Sequence, residues 1–205
     1  MLAHPVATAR GIARYLRGET SPPRPWPGGA GSLVGLGFCL KPLAPACPSG
    51  RANHRCAVMD GTADAAGAPC GDCLILALGR QALAGGSAVY IMTSARDILH
   101  DVLLPALRHR RFRSAVLAMC RYSFEPMRLA LEICGIEARL FPFFHGDCRD
   151  YTTWRRADLG EKSEQTLLDE SSLRDLAADL AAATGSSSVG FVRVGNIYEP
   201  ARVGS

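Results

Sequence analysis

Five of the eight cysteines of the sequence lie close together, between residues 39 and 73. Thiolates at this density hold a metal ion or an iron–sulfur cluster, or they pair as disulfides. Zinc and a four-iron cluster each need four ligands, so the segment holds enough thiols for either, with His54 as a further donor. We therefore predict a metal site, with an iron–sulfur cluster favoured over zinc, formed by Cys39, Cys47, Cys56, Cys70 and Cys73.

The last two of these cysteines form the motif Cys70-Gly-Asp-Cys73. A turn of this spacing can present two thiolates to one ion while its backbone amides stabilise the negative charge on sulfur. A second CxxC pair, which would make the zinc interpretation strong, does not occur in the sequence. The choice between iron–sulfur cluster, zinc, free structural thiols and disulfides therefore stays open at this point.

Most of the elements that must position these residues are predicted after residue 73, where apolar runs alternate with helical patterns. Helices are expected at 4–17, 74–84, 96–108, 125–134 and 172–184, and strands at 88–93, 115–119, 138–142 and 191–194. Pro105 is expected to kink or break its helix, Ser172 to cap the last helix and Gly185 to end it. Strands and helices in this order form βαβ units with a parallel sheet.

The chain is expected to have three parts. Residues 1–30 form an N-terminal helix and a Pro/Gly-rich linker, 31–73 a cysteine-rich metal-binding segment, and 74–205 an α/β domain. Frequent prolines and glycines predict irregular loops from about residue 33 to 73, and such a backbone often gains order from a bound ion. The predicted fold class is α/β: a small open, mainly parallel three-layer sheet preceded by a cysteine-rich irregular segment.

A second group of candidate residues follows the predicted strands. Ligands of open parallel sheets bind outside the carboxyl ends of the strands, and Cys120, His145, Asp147 and Cys148 lie just past two of these ends. We predict Cys120, His145 and Cys148 as cofactor-binding residues. A histidine beside a cysteine can also lower the pKa of the thiol and make it a nucleophile. Cys134 lies in the apolar face of a helix and is expected in the core.

Composition and charge exclude several classes of protein. With 48% hydrophobic and 20% charged residues, the 205-residue chain is typical of a globular domain. Its apolar runs are far shorter than a transmembrane helix, and arginines interrupt any signal-peptide core near the start. We expect a cytoplasmic protein with reduced thiols. A net charge of +4 without a nucleic-acid-binding motif argues against nucleic acid and leaves an unidentified redox or enzyme partner.

The order of these motifs resembles an uncharacterised family, the one catalogued as domain of unknown function number 116. The resemblance covers residues 33–158 and rests on a hydrophobic strand before Phe38-Cys39, Cys47-Pro48, the Cys70-Gly-Asp-Cys73 pair leading into an apolar helix, Ala118-Met119-Cys120 after a strand, and His145-Gly-Asp-Cys148 before Thr152. It implies a multi-cysteine metal site facing the sheet and supplies no reaction.

Three functions are compatible with these patterns. The first is a metal-binding, iron–sulfur protein acting as a redox enzyme or as an accessory to one. The second is a non-enzymatic interaction module in which zinc staples the loops. The third is a cysteine-dependent transferase or hydrolase that uses Cys148 or Cys120 with His145.

Overall fold

The computed structural model describes residues 5–19, 25–183 and 190–201, and all statements below concern these ranges. The helices are α1 (Pro5–Leu16), α2 (Leu74–Ala84), α3 (Ala95–Ile98), α4 (Leu104–His109), α5 (Phe124–Cys134), α6 (Tyr151–Asp158) and α7 (Glu170–Ala182). The strands are β1 (Ser32–Gly37), β2 (Ala88–Met92), β3 (Ser114–Met119), β4 (Glu137–Pro142), β5 (Phe191–Val194) and β6 (Ile197–Pro200).

One six-stranded sheet organises the chain, with the strand order β4-β3-β1-β2-β6-β5. The four strands β4, β3, β1 and β2 run parallel, while β6 and β5 form an antiparallel hairpin at one edge. Strands β1, β2 and β3 are buried at every position, as expected for strands covered by helices on both faces. The predicted open, mainly parallel three-layer α/β sheet is confirmed.

Alternating side chains of the central strands pack into two apolar cores, one on each face of the sheet. Val34 and Leu36 of β1 pack on the face covered by α2, α7 and the segment 41–73. Leu33 and Tyr90 pack on the opposite face, which is covered by α4 and α5. Helix α1 packs against α5. Cys134 is buried in this second core, as expected from its place on the apolar face of α5.

The prediction of irregular loops from about residue 33 was wrong at its start, because β1 occupies Ser32–Gly37 and lies at the centre of the sheet. Its glycines make this strand difficult to recognise in the sequence. Glycine is needed at position 35 because a Cβ atom there would collide with Leu117 and lie 3.0 Å from Met92 Sδ. The segment assigned to the cysteine cluster and the predicted α/β domain therefore share one sheet.

The expected interruption near Pro105 is present, whereas one helix cap differs from the sequence expectation. A π-helical turn at Leu99–Leu103 divides the helix predicted over 96–108, and α4 begins at Leu104, directly before the proline, which lacks an amide hydrogen. Helix α7 begins at Glu170 and is capped by Asp169, which accepts from the backbone N of Ser172 at 2.8 Å, so the prediction of Ser172 as the cap was wrong. The expected stop at Gly185 lies outside the described residues.

Sequence analysis missed β6 and α6 altogether. Strand β6 follows a two-residue turn at Gly195-Asn196, where Gly195 has φ +62°. Helix α6 starts after Asp150, whose side chain accepts from the backbone N of Thr153 at 2.7 Å. Both elements matter for the candidate site, because α6 lines a cavity and β6 holds a loop. None of the helices in the described ranges has the length and apolarity that crossing a membrane requires.

Candidate functional site

The eight cysteines are all free thiols, and seven of them lie in two groups. Within each group, the charge of one thiol affects the pKa of another. We call the segment 41–73 the four-thiol loop, since it contains Cys47, Cys56, Cys70 and Cys73. We call the cavity at the carboxyl ends of the strands the thiol pocket, since it is lined by Cys39, Cys120 and Cys148.

In the four-thiol loop, Cys47 is the common neighbour. It lies close enough to Cys56, Cys70 and Cys73 that its negative charge would raise the pKa of each. Burial is the largest cause of the raised pKa values of these three thiols. The loop has no helix or strand between Leu40 and Leu74, so its irregular backbone alone positions Cys47, Cys56 and Cys70.

Backbone amides act on two of these sulfurs. The nearby amides of Met59 and Val58 oppose the raised pKa of Cys56, and the amides of Leu76 and Ile75 do the same for Cys73. Cys73 is the residue that precedes α2, so its sulfur also lies at the positive end of a helix dipole. Amides directed at sulfur favour the thiolate, which is the form that binds metals.

A buried lysine lies beside the same thiols. Lys41 is 1% exposed, and its Nζ donates to the backbone oxygens of Gly50 (3.1 Å) and Asn53 (2.9 Å) and to Asn53 Oδ1 (2.8 Å). Burial lowers the pKa of Lys41 to about 8, while Cys47, Cys56 and Cys73 oppose this shift. Sequence analysis missed this residue, because nothing in the sequence marks a lysine after a strand as buried.

The loop is tied to the sheet through β6. The backbone N of Cys56 donates to the hydroxyl of Tyr198 at 2.8 Å, and that hydroxyl donates to Asp60 Oδ1 at 3.0 Å. Asp60 also pairs with Arg55 at 3.0 Å and with Arg193 at 3.1 Å. The turn that carries Cys56 therefore has fixed contacts with β5 and β6, two strands far away in sequence.

His54, considered as an additional ligand, points elsewhere. Its Nδ1 lies 2.8 Å from the backbone oxygen of Ile91 and its Nε2 lies 3.2 Å from Thr93 Oγ1. The ring stacks on Tyr90, with centroids 5.2 Å apart. Both ring nitrogens thus have partners at the end of β2. Across the described residues, no group of three or more His, Cys, Asp and Glu side chains is arranged so that it could hold a metal ion as it stands.

The thiol pocket is a cavity of about 440 Å³. It lies where β1, β2, β3 and β4 end, and the strand order reverses between β1 and β3, because the chain passes from β2 back across β1. Such a switch point is where open α/β sheets bind ligands. Cys39 follows β1 and Cys120 follows β3, so these two thiols flank the switch point. Cys39, which the sequence spacing placed with the other four, interacts here with Cys120 and Cys148.

Cys120 and Cys148 lie close enough for each to affect the pKa of the other. Cys148 is the largest cause that lowers the pKa of Cys120 to about 7, and Ser123, whose Oγ lies 3.1 Å from Cys120 Sγ, contributes to this shift. Cys120, together with burial, raises the pKa of Cys148 well above its ordinary value. Of the two thiols, Cys120 is therefore the more readily ionised.

Two positive groups, Lys162 and Arg51, act on these thiols, while the carboxylate of Asp147 acts on Cys120 in the opposite sense. Lys162 Nζ lies 3.8 Å from Cys148 Sγ and also lines the cavity. Burial raises the pKa of Cys39 to about 11, and Lys162 and Arg51 oppose that shift. The guanidinium of Arg51 donates to the backbone oxygens of Cys39 (3.0 Å), Lys162 (2.5 Å) and Glu164 (2.6 Å). Arg51 thereby joins the four-thiol loop to the wall of the pocket.

The rest of the pocket is apolar with an aromatic rim. Tyr122 and Tyr151 flank Trp154, with ring centroids 6.1 Å and 6.0 Å from it. The absence of a side chain at Gly37 leaves room, because a Cβ atom there would lie 2.8 Å from the ring of Phe143. Asp158 also lines the cavity, and its carboxylate accepts from the backbone N of Ala95 at 2.7 Å.

His145 and Asp147, predicted beside Cys148, play other parts. His145 is exposed, its backbone pairs with Leu167, and in the described part of the chain it is not among the residues that line the cavity. Asp147 accepts from the backbone N of Arg121 at 3.1 Å and so holds the turn after β3. The placement of Cys120 and Cys148 at one edge follows the strand-end argument, while cofactor binding by them and by His145 stays a prediction.

Comparison with known proteins adds no relative: no family model, no curated protein and no solved structure matches the chain.

Proposed function

We propose that this is a metal-binding α/β protein whose four-thiol loop holds an iron–sulfur cluster, and that it works as a redox enzyme or as an accessory to one. The observation that carries the proposal is the gathering of Cys47, Cys56, Cys70 and Cys73 in one loop as free thiols. Four sulfurs form the donor set that a four-iron cluster or a structural zinc requires. A cluster would supply one-electron transfer.

The chemistry of the donor set fits such a group in two further respects. Amides act on the sulfurs of Cys56 and Cys73, which favours the thiolate form. Lys41 places a buried positive charge beside four potential negative charges. Binding has to draw the sulfurs to about 2.3 Å from the metal, and a loop held by turns can move in this way. Metal binding to such a loop contributes directly to its folding.

Zinc is the alternative occupant, and it would make the loop a structural staple of an interaction module. The experiment that separates the two is iron, zinc and acid-labile sulfide analysis with a visible spectrum on anaerobically purified protein. Iron and sulfide with broad visible absorption support the redox proposal. Colourless protein with one zinc per chain supports the staple. Protein that takes up neither metal during reconstitution contradicts both.

A cysteine-dependent transferase or hydrolase is supported by a separate observation. Cys120 has a pKa of about 7 and lines a ligand-sized cavity. In the structure its acidity comes from Cys148 and Ser123 rather than from His145. The test is alkylation of the reduced protein with substoichiometric iodoacetamide. Modification of Cys120 ahead of the other thiols supports this function, and uniform labelling contradicts it.

A further inference from the structure

We propose that the thiol pocket carries out dithiol–disulfide exchange, with Cys120 and Cys148 as the redox pair and an apolar, acidic organic disulfide as the substrate. The proposal goes beyond the metal-binding function and does not depend on it, because the residues of the pair lie outside the four-thiol loop. It rests on the pairing of the two thiols, on the cavity beside them and on the charge of Lys162.

Cys120 and Cys148 are two thiols of one cavity. They follow the neighbouring strands β3 and β4, both line the thiol pocket, and each affects the pKa of the other. A disulfide between them requires that their sulfurs approach to about 2.05 Å. A thiol that stands alone can form an adduct, but a thiol with a partner nearby can also release that adduct.

Exposure and contacts distinguish the attacking sulfur from the resolving one. Cys120 is partly accessible from the cavity and its Sγ lies 3.1 Å from the hydroxyl of Ser123, which can stabilise a thiolate, whereas Cys148 is 4% exposed. Since the thiolate is the nucleophile in exchange, Cys120 attacks first. Cys148 then resolves the adduct, and the ammonium of Lys162 at 3.8 Å favours its thiolate at that stage.

The bonds and electrons balance as follows. Cys120 Sγ attacks one sulfur of R–S–S–R′, a Cys120–S–R bond forms, the substrate S–S bond breaks and R′S⁻ leaves. Cys148 Sγ then attacks Cys120 Sγ, the Cys120–Cys148 disulfide forms, and RS⁻ leaves. In the overall reaction, the two thiols of the protein give up two electrons and two protons and become a disulfide. The substrate disulfide is reduced to two thiols. Exchange with a dithiol in the reverse direction restores the reduced pair.

The substrate class follows from the walls of the pocket. A cavity of about 440 Å³ is within the range of small-molecule sites. Its apolar lining and its rim of Tyr122, Tyr151 and Trp154 suit an aromatic or aliphatic body. Lys162 supplies a positive charge beside the sulfurs, while Asp158 is engaged by the backbone of Ala95. An apolar disulfide with a carboxylate therefore fits better than a polar or cationic one.

The test uses the reduced full-length chain under argon and bis(carboxynitrophenyl) disulfide as the probe, an aromatic disulfide with carboxylates. At mildly acidic pH, one equivalent of probe is expected to release two equivalents of its coloured thiol in a fast phase. Peptide mapping of the product is expected to give a Cys120–Cys148 disulfide. A lasting mixed disulfide on Cys120 with Cys148 still free overturns the proposal, and this outcome can be observed with the wild-type protein alone.

Variants assign the two roles. Cys148→Ser is expected to release one equivalent and to keep the probe on Cys120, and Cys120→Ser to slow the fast phase at least about tenfold. Cys134→Ser, which changes a buried cysteine behind the cavity wall that does not itself line the pocket, is the matched control and is expected to behave as wild type. Unchanged fast kinetics in Cys120→Ser overturn the proposal. Metal content is measured on the same samples, and it is expected to be equal in all four proteins, so a failed metal proposal is recognised separately.

A second probe tests the substrate class. Bis(2-hydroxyethyl) disulfide, which is small, polar and uncharged, is expected to react with Cys120 at least about tenfold more slowly after correction for its intrinsic reactivity with a free thiol. Lys162→Gln is expected to reduce the difference between the corrected rates at which the two probes react with Cys120. Equal corrected rates for both probes in the wild type overturn the assignment of an apolar, acidic substrate.

Discussion

The four-thiol loop holds its cysteines on irregular backbone, whereas the thiol pocket holds its cysteines beyond the ends of strands. Cys47, Cys56 and Cys70 lie on turns, and Cys73 lies just before the first turn of α2. The pocket thiols Cys39, Cys120 and Cys148 are held at the edge of a fully packed sheet. A site built on turns can close around an ion, whereas a site built on strand ends is already shaped for a ligand. We therefore propose different roles for the two groups of thiols, metal binding for the four-thiol loop and thiol reactivity for the thiol pocket.

Charge separates the two regions in the same way. Lys41 is enclosed and uses its donors on Gly50 and Asn53, so its charge is a fixed part of the loop. Lys162 is half-buried and lies 3.8 Å from a thiol, where it can act on a reacting sulfur. Each region thus has one lysine, and exchanging or removing these lysines is a direct way to test the comparison.

The largest expected effect is the loss of a loop thiol. Cys73→Ala is expected to abolish stoichiometric metal binding and to lower the free energy of unfolding of the loaded protein by on the order of 5 kcal/mol, because metal-binding energy is folding energy for such loops. Metal analysis and urea unfolding measure both. Cys134→Ala, the matched core variant, is expected to keep its metal. A Cys73→Ala protein with full metal content and unchanged stability would show that the loop needs no metal.

The next effect concerns the two lysines. Lys41→Met is expected to destabilise the protein by about 2–3 kcal/mol, because three partly buried oxygens lose their charged donor. Lys162→Met is expected to change stability by less than about 0.5 kcal/mol, as for a half-buried surface residue. Urea denaturation of the two variants side by side gives the answer. Similar losses in both would remove the distinction drawn between the lysines.

A smaller effect is expected on the reactivity of Cys120. The neighbouring Cys148 is the main cause of its low pKa, about 7. In Cys148→Ala the pKa rises toward that of an ordinary thiol, so alkylation of Cys120 at pH 7 is expected to slow roughly tenfold. At pH 10 the two proteins are expected to react alike, since both thiols are then ionised. An unchanged pH–rate profile would mean that Cys148 does not acidify its neighbour.

The smallest effect distinguishes the packing of the two regions. Gly37→Ala places a methyl group 2.8 Å from the ring of Phe143 and is expected to cost about 1 kcal/mol. Gly67→Ala, in the four-thiol loop, has no atom within 4 Å of the new methyl group and is expected to change stability by less than about 0.5 kcal/mol. Thermal unfolding of both variants measures this. A larger loss at Gly67 would contradict the looser packing assigned to the loop.

Most of the fold could be predicted because the elements carry clear local signals. The apolar runs of β2 and β3 and the Gly135 stop of α5 are visible in the sequence and are present in the structure. The residue pattern did not reveal strand β1, which only the family resemblance implied, because its glycines serve close approach of neighbouring side chains, and this depends on the sheet and not on the local sequence. The hairpin to β6 carried a signal in Gly195-Asn196, a dipeptide typical of two-residue turns.

The candidate site was predictable only in part. The strand-end rule placed Cys120 and Cys148 at the correct edge, since it depends on strand polarity alone. The neighbours of Cys39 depend on the strand order, in which β3 lies next to β1. Sequence distance instead placed Cys39 with Cys47. Lys41 and Lys162 gave no signal, because the burial of Lys41 and the approach of Lys162 to Cys148 arise from loops that pack across the sheet.

The contact between Cys56 and Tyr198 has a consequence for the order of events in the cell. The two residues are 142 positions apart, so at ordinary rates of translation roughly 7–30 s separate their synthesis. During that interval the nascent chain exposes its first five cysteines without the strand that anchors their loop. The metal site that we propose in this loop can therefore be completed only late in biogenesis, and a chain stalled before β6 would be the form most open to oxidation.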